Sequence, residues 1–174
     1  MKQIIKNKVF ILNFLKKIHE SKIIFPIVLS WVFALSSQVY INLPFNFVPI
    51  TLQTFAIFLC TVLFGRSAFY ASILLVLQGI FGLPVFFGFG SGLYHLFGPT
   101  GGYLVGFVLA TLFLSFFNFN KKNIFINLVI LFLGLFILHV MGILWLSFFV
   151  NISYKVLLFL FVDIVKILVI LLFV

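Results

Sequence analysis

The sequence predicts an all-α integral membrane protein with six transmembrane helices and both termini on the inner side. Three observations carry that expectation. The 174 residues are 65% hydrophobic and only 7% charged, with a mean hydropathy of +1.40, where soluble domains hold about 25% charged residues. The apolar residues gather into six stretches, and about 20 such residues cross a bilayer, fewer where a span is tilted or buried. The basic residues fall on alternate sides of those stretches, as the bias of Lys and Arg toward cytoplasmic loops requires.

Taken in order, residues 1–22 form a basic cytoplasmic N-terminal segment with Lys2, Lys6, Lys8, Lys16, Lys17 and Lys22 against one acid, Glu20. Its apolar run Val9–Leu12 is too short to span. No small-residue cleavage site follows it, so an interfacial helix fits better than a cleaved signal peptide. Residues 23–174 form the transmembrane domain. Span 1 is Ile23–Ile41, with Pro26 tolerated in its first turn. Span 2 is Ile50–Phe64, Gly65-Arg66 is a tight turn, and span 3 is Ser67–Phe81. Span 4 is Gly101–Phe117, Asn118–Asn123 is a polar loop, span 5 is Ile124–Phe149, Asn151–Tyr154 is a short turn, and span 6 is Val156–Val174. With the N-terminus inside, nine of the loop and tail cations lie inside and only Lys155 outside. The net charge of +9 therefore reports orientation in a lipid bilayer, and a nucleic-acid partner is not expected.

The stretch from Pro44 to Tyr103 organises the rest. Two charge-free segments rich in Gly and Pro flank the hairpin of spans 2 and 3. Irregular backbone is not stable against lipid, where each unpaired N–H or C=O costs several kcal/mol, so such segments cover or line a cavity. Both fall on the outer face. They read as the lid and wall of a small-molecule site entered from outside. The Gly82–Gly102 loop brings Gly88 for close backbone approach, and Phe86, Phe87, Tyr94 and Tyr103 as flat walls. An aromatic belt at the bilayer surface is the other reading of Tyr94. Without Lys, Arg or a G-x-x-x-x-G-K-[ST] pattern, the loop does not read as a phosphate cradle.

Asp163 and Lys166 in F-V-D-I-V-K are the ionisable pair of span 6. Three residues apart, they share a helix face, and intramembrane charges mark functional sites by default. They read either as a self-neutralising ion pair or as cavity groups that meet ligand N–H groups and a ligand carboxylate. Thr51, Gln53 and Thr54 open span 2. The threonines can cap or back-bond to the helix, whereas the Gln53 amide needs a helix or ligand partner. Asn46 reads as a turn residue. Ser30, Ala34 and Ser37 place small residues along span 1, a face on which a partner helix can dock. His19, His95 and His139 are dispersed, with no metal-binding spacing, so no metal or cofactor is expected. Ser91 beside His95 is the one arrangement an intramembrane serine protease could use. Lacking a clear nucleophile–base pair, the chain has no expected catalytic residue. Cys60 is a lone packing thiol, without a disulfide or four-Cys site.

Several of these stretches resemble one family. V-P-I-T-L-Q-T (Val48–Thr54), G-L-P-V-F (Gly82–Phe86), G-P-T-G-G-Y-L-V-G-F (Gly98–Phe107) and D-I-V-K (Asp163–Lys166) are similar to the BioY biotin-transport proteins. Those are substrate-binding S components of energy-coupling factor (ECF) transporters, and the resemblance covers about residues 28–170. It implies a six-helix protein of the bacterial cytoplasmic membrane that captures biotin from outside. It also implies an integral coupling subunit and two ATPase subunits as partners, with ATP hydrolysed there. By motif, Asp163 and Lys166 become pocket residues under the Gly82–Tyr103 loop, and Ser30, Ala34 and Ser37 become the docking face for the coupling subunit. The substrate site so expected is Asp163, Lys166, Gln53, Thr51, Phe86, Gly88, Tyr94 and Tyr103. The stretch L-F-L-F-V-D departs from the family in lacking a Pro-Phe pair before the Asp. The other readings are an S component for another vitamin, a carrier working without ATPases, and a membrane assembly protein with no ligand.

Overall fold

The computed structural model describes residues 16–42, 48–119, 121–151 and 156–173. Most of the basic N-terminal segment, Asn46, most of the Asn151–Tyr154 turn and Lys155 lie outside the described residues. Residues 16–20 are helical and lead into α1 (Ile24–Ser37). A two-residue antiparallel ribbon follows, β1 (Tyr40–Ile41) on β2 (Ile50–Thr51), then α2 (Gln53–Phe64) and α3 (Arg66–Ile80). The loop after α3 holds a 3-10 turn at Phe87–Phe89 and the short α4 (Leu93–Phe97). The remaining helices are α5 (Gly101–Leu114), α6 (Ile124–Leu146) and α7 (Val156–Ile170).

Each expected span overlaps one of these helices, with trimmed ends. The largest correction is at span 2. Ile50 and Thr51 pair with Ile41 and Tyr40 as strand, and the helix begins only at Gln53. Pro49 biases Val48 away from helix, and the β-branched Val48, Ile50 and Thr51 favour the extended form. No side chain caps α2, so Thr51 and Thr54 do not act as its cap. Among the described residues, only α6, with 23 residues, is long and apolar enough to cross a bilayer by itself. The helices α1, α2, α3 and α5 have 12–15 residues, about 18–23 Å at 1.5 Å per residue, against a hydrocarbon layer of about 30 Å.

The molecule is apolar on its surface as well as in its core, and several polar side chains are buried. Leu35, Phe136, Leu144 and Phe161 are at least 60% exposed, whereas Ser30, Gln53, Ser72, Thr111, Asn127, His139 and Asp163 are buried. Exposed apolar surface on this scale marks contact with lipid or with partners. The buried hydroxyls are satisfied locally. Thr61 donates to the Ile57 carbonyl at 2.7 Å and Thr111 to Phe107 at 2.8 Å, while Ser72 and Thr111 join α3 to α5 at 2.8 Å.

Close backbone approach holds α5 on α6. A Cβ on Gly102 would stand 2.2 Å from the Trp145 Cβ and 2.5 Å from the Met141 carbonyl oxygen, and one on Gly106 3.0 Å from the Leu138 carbonyl oxygen. The G-x-x-x-G spacing at 102–106 lets two helices touch along their backbones. Gly65, at φ 50° and ψ −117°, makes the turn from α2 to α3 in a conformation open only to glycine.

The expected small-residue docking face is corrected here. Ser30, Ala34 and Ser37 are no more than 4% exposed. Ser37 bonds the Val85 carbonyl at 3.1 Å across the fold, so these residues serve packing within the chain. The surface that α1 presents outward is instead Ile24, Val28, Trp31 and Leu35.

Gly102→Ala is expected to lower stability by about 1–3 kcal/mol, the usual cost of overpacking. Gly134→Ala costs less, because its new Cβ meets only the Leu114 side chain, which can shift. Thermal denaturation in detergent checks this, and equal losses would refute the backbone-contact account.

Candidate ligand-binding cleft

The ribbon, the loop between α3 and α5, and the adjoining parts of α2, α5, α6 and α7 enclose one cleft. Its walls are Val48–Thr51, Gln53, Thr54, Phe86, Phe87, Thr100, Tyr103, Leu104, Phe107, His139, Phe159, Asp163 and Lys166. It holds ≈ 640 Å³ of empty space counting its open mouth. Only ≈ 60 Å³ of that is wide enough for the centre of a water molecule, so the walls stand close together.

Asp163 is the centre of this cleft. Its Oδ1 accepts from Lys166 Nζ at 2.6 Å, and its Oδ2 lies 3.1 Å from His139 Nε2. The spacing of three on α7 brings Lys166 beside the carboxylate, as expected from its helix face. Lys166 also donates to the Thr51 carbonyl at 2.8 Å. All three ionisable side chains are at most 14% exposed. A buried charge is tolerated only when paired and hydrogen-bonded, and this arrangement meets that demand with one carboxylate, one ammonium and one imidazole.

Two buried polar atoms on the same walls have no partner among the described residues, the Tyr103 hydroxyl and His139 Nδ1. The Tyr103 ring stands edge-on to His139 with centroids 6.0 Å apart. Because Nδ1 is unpartnered, the proton of a neutral imidazole belongs on Nε2, where it is donated to Asp163. An unpaired lone pair is less costly than an unpaired N–H.

Of the expected substrate residues, Asp163, Lys166, Gln53, Thr51, Phe86 and Tyr103 line the cleft. Thr51 contributes its backbone carbonyl. The Gln53 amide reaches the Phe33 carbonyl only at a long 3.5 Å. Gly88 and Tyr94 are not among the lining residues, and Tyr94 is 82% exposed. Gly88 instead takes φ 62° in the 3-10 turn, so it shapes the loop and does not contact the cleft. His139 was missed as a site residue. The signal was present, since an imidazole within an apolar span meets the same criterion that singles out Asp163 and Lys166.

The loop over the cleft is strapped to α1 by Gln38. Its amide nitrogen donates to the Phe86 carbonyl at 2.9 Å, and its oxygen accepts from the Phe89 N–H at 2.9 Å. Phe89 takes φ 58°, a region uncommon for a residue with a side chain. His95 packs against Phe86 and Phe87, and its partial burial lowers its pKa below the ordinary imidazole value. Trp145 Nε1 donates to the Gly98 carbonyl at 3.0 Å, pinning the far end of the loop to α6.

The chain is similar to known proteins in sequence and in fold. A sequence profile of the BioY family matches residues 12–174. The biotin transporter BioY2 of Lactococcus lactis is 40% identical over 132 residues, covering 71% of this chain and 72% of that protein. A probable biotin transporter BioY of Pyrococcus horikoshii is 36% identical over 124 residues, covering 68% and 74%. The crystal structure of an S-component for biotin from an ECF-type ABC transporter superposes with a TM-score of 0.75 at 24% identity over 87% of each chain. That likeness shows the fold.

Gln38→Ala removes the acceptor of the Phe89 amide. At about 1 kcal/mol per hydrogen bond, residues 86–89 are expected to lose about fivefold in hydrogen-exchange protection while α6 keeps its own. Unchanged protection at 86–89 would show that the strap does not hold the loop.

Proposed function

The chain belongs to the BioY family, and we propose that it is the membrane-embedded biotin-capturing S component of an ECF transporter. The observation that carries this reading is Asp163, held from both sides in an aromatic-walled cleft with Lys166 beside it. Biotin offers two ureido N–H donors, a carbonyl, an apolar thioether ring and a carboxylate. A carboxylate that accepts N–H groups, an ammonium that attracts a carboxylate, and the flat walls of Phe86, Tyr103, Phe107 and Phe159 are complementary in kind. An ionised carboxylate has about four acceptor sites. Asp163 uses two within the described residues, so it can accept ligand N–H groups without releasing either neighbour.

In this reading the helices make six crossings with both termini inside, and the cleft opens outward. Support comes from the nine-to-one distribution of cations and from the apolar outer surface. ATP hydrolysis belongs to two ATPase subunits that act through an integral coupling subunit.

Equilibrium binding of labelled biotin to the purified protein tests the assignment. Asp163→Asn and Lys166→Ala are each expected to weaken binding by about 10- to 100-fold, the loss of one charge-assisted hydrogen bond. Normal binding by both variants refutes the site. Displacement of the label by a different vitamin at lower concentration than biotin moves the substrate assignment to that vitamin. Orientation has its own check, in a background where Cys60 is replaced. A cysteine at Tyr94 should react with an impermeant maleimide on intact cells, and one at Asn118 only after permeabilisation. The reverse pattern overturns the N-in topology.

A further inference from the structure

A second recess lies at the opposite end of the fold, where the start of α1, the α2–α3 turn and the end of α5 meet. It holds ≈ 1350 Å³ of empty space counting its open mouth, and His19, Arg66, Ser67 and Asn118 supply its polar side chains together with Ser115. No carboxylate lines it. The chain has only two acids, Asp163 in the cleft and Glu20, which pairs with Lys16 at 3.8 Å. The Arg66 guanidinium has no hydrogen-bond or ion-pair partner among the described residues. Arg66 opens α3, whose N-terminus has no side-chain cap, so the helix dipole adds positive potential there. His19 is set edge-on to Phe25 and Phe64, with centroids 4.7 and 5.8 Å apart.

The rim of this recess is apolar and open. Leu63 is 49% and Phe116 66% exposed, and both border it. Exposed basic and amide donors, unpaired among the described residues, beside an exposed apolar rim match a molecule with an anionic head and hydrocarbon tails. We propose that the recess binds the headgroup of an anionic phospholipid. Arg66 pairs with the phosphodiester, Asn118 and Ser67 donate to its oxygens, and the acyl chains lie over Leu63 and Phe116. Basic pockets between helices at the cytoplasmic surface recognise lipid headgroups by this chemistry. A soluble organophosphate shares the charge but gains nothing from the apolar rim.

The test uses the full-length protein in phosphatidylcholine bicelles titrated with phosphatidylglycerol, with the melting temperature as the readout. Phosphatidylglycerol is expected to raise Tm saturably. Arg66→Gln should shift the titration midpoint about fivefold higher, the effect of one basic side chain near the surface. Asn118→Ala should shift it in the same direction, and it decides the matter if Arg66→Gln already melts early in pure phosphatidylcholine. Lys16→Gln with Lys17→Gln should leave the midpoint in place. The proposal is overturned if neither recess variant moves the midpoint, or if the Lys16/Lys17 pair moves it as far. It is also overturned if glycerol 3-phosphate alone reproduces the rise in Tm, which would make this a soluble-anion site.

Discussion

The ion pair between Asp163 and Lys166 is the constraint from which the site's architecture follows. Two charges three residues apart on an apolar helix cannot be left unpaired, because the cost of an uncompensated buried charge exceeds most single interactions in a protein. Pairing them with one another neutralises the net charge but leaves donors and lone pairs over. The fold must therefore deliver polar atoms to this point, and it takes them from distant segments. His139 comes from α6 and the Thr51 carbonyl from β2. A strand is suited to the latter role, since a helical Thr51 would direct its carbonyl along the helix axis to a later N–H. The short ribbon before α2 thus supplies an acceptor that an earlier start of the helix would have consumed.

The aromatic wall beside His139 depends in turn on how α5 and α6 meet. Gly102 and Gly106 remove the side chains that would separate the backbones, and Gly142 receives the Tyr103 ring from the opposite direction. Tyr103, flanked by this glycine spacing, is thereby laid against His139. Packing and chemistry share residues here. The contact that holds the helices together also sets the aromatic wall next to the carboxylate.

Much of this was legible in the sequence, and the failures have physical causes. Asp163, Lys166 and Gln53 were visible because a charge or primary amide in an apolar run demands a partner, whatever the tertiary structure. Phe86 and Tyr103 were visible through their Gly/Pro-rich surroundings. The Gly65-Arg66 turn was legible for a backbone reason. Thr51 was named, but its carbonyl role was hidden because backbone contacts leave no side-chain signature. Gln38 was missed for a related reason, since a polar residue near a helix end reads as solvent-facing until a loop folds onto it. Ser30, Ala34 and Ser37 show the opposite error. Small-residue spacing says that something approaches closely, and does not say whether that neighbour belongs to the same chain. Tyr94 was drawn to the site by proximity in sequence to the loop, while α4 turns it outward.

Structural pairing and the proposed ligand capture are compatible in this cleft because neither charged group is saturated. Within the described residues, Lys166 commits two of its three ammonium protons, one to Asp163 and one to Thr51. Asp163 keeps acceptor sites on both oxygens. The pair can stay intact in the narrow cleft, where full separation of the charges would be prohibitive, and a polar ligand then adds bonds to it. The Tyr103 hydroxyl and His139 Nδ1, both buried and unpartnered among the described residues, point to the same balance. They carry a desolvation cost in the folded chain that a ligand offering complementary groups relieves. In the proposed site, binding is favoured by what the folded protein leaves unmet as much as by what it presents.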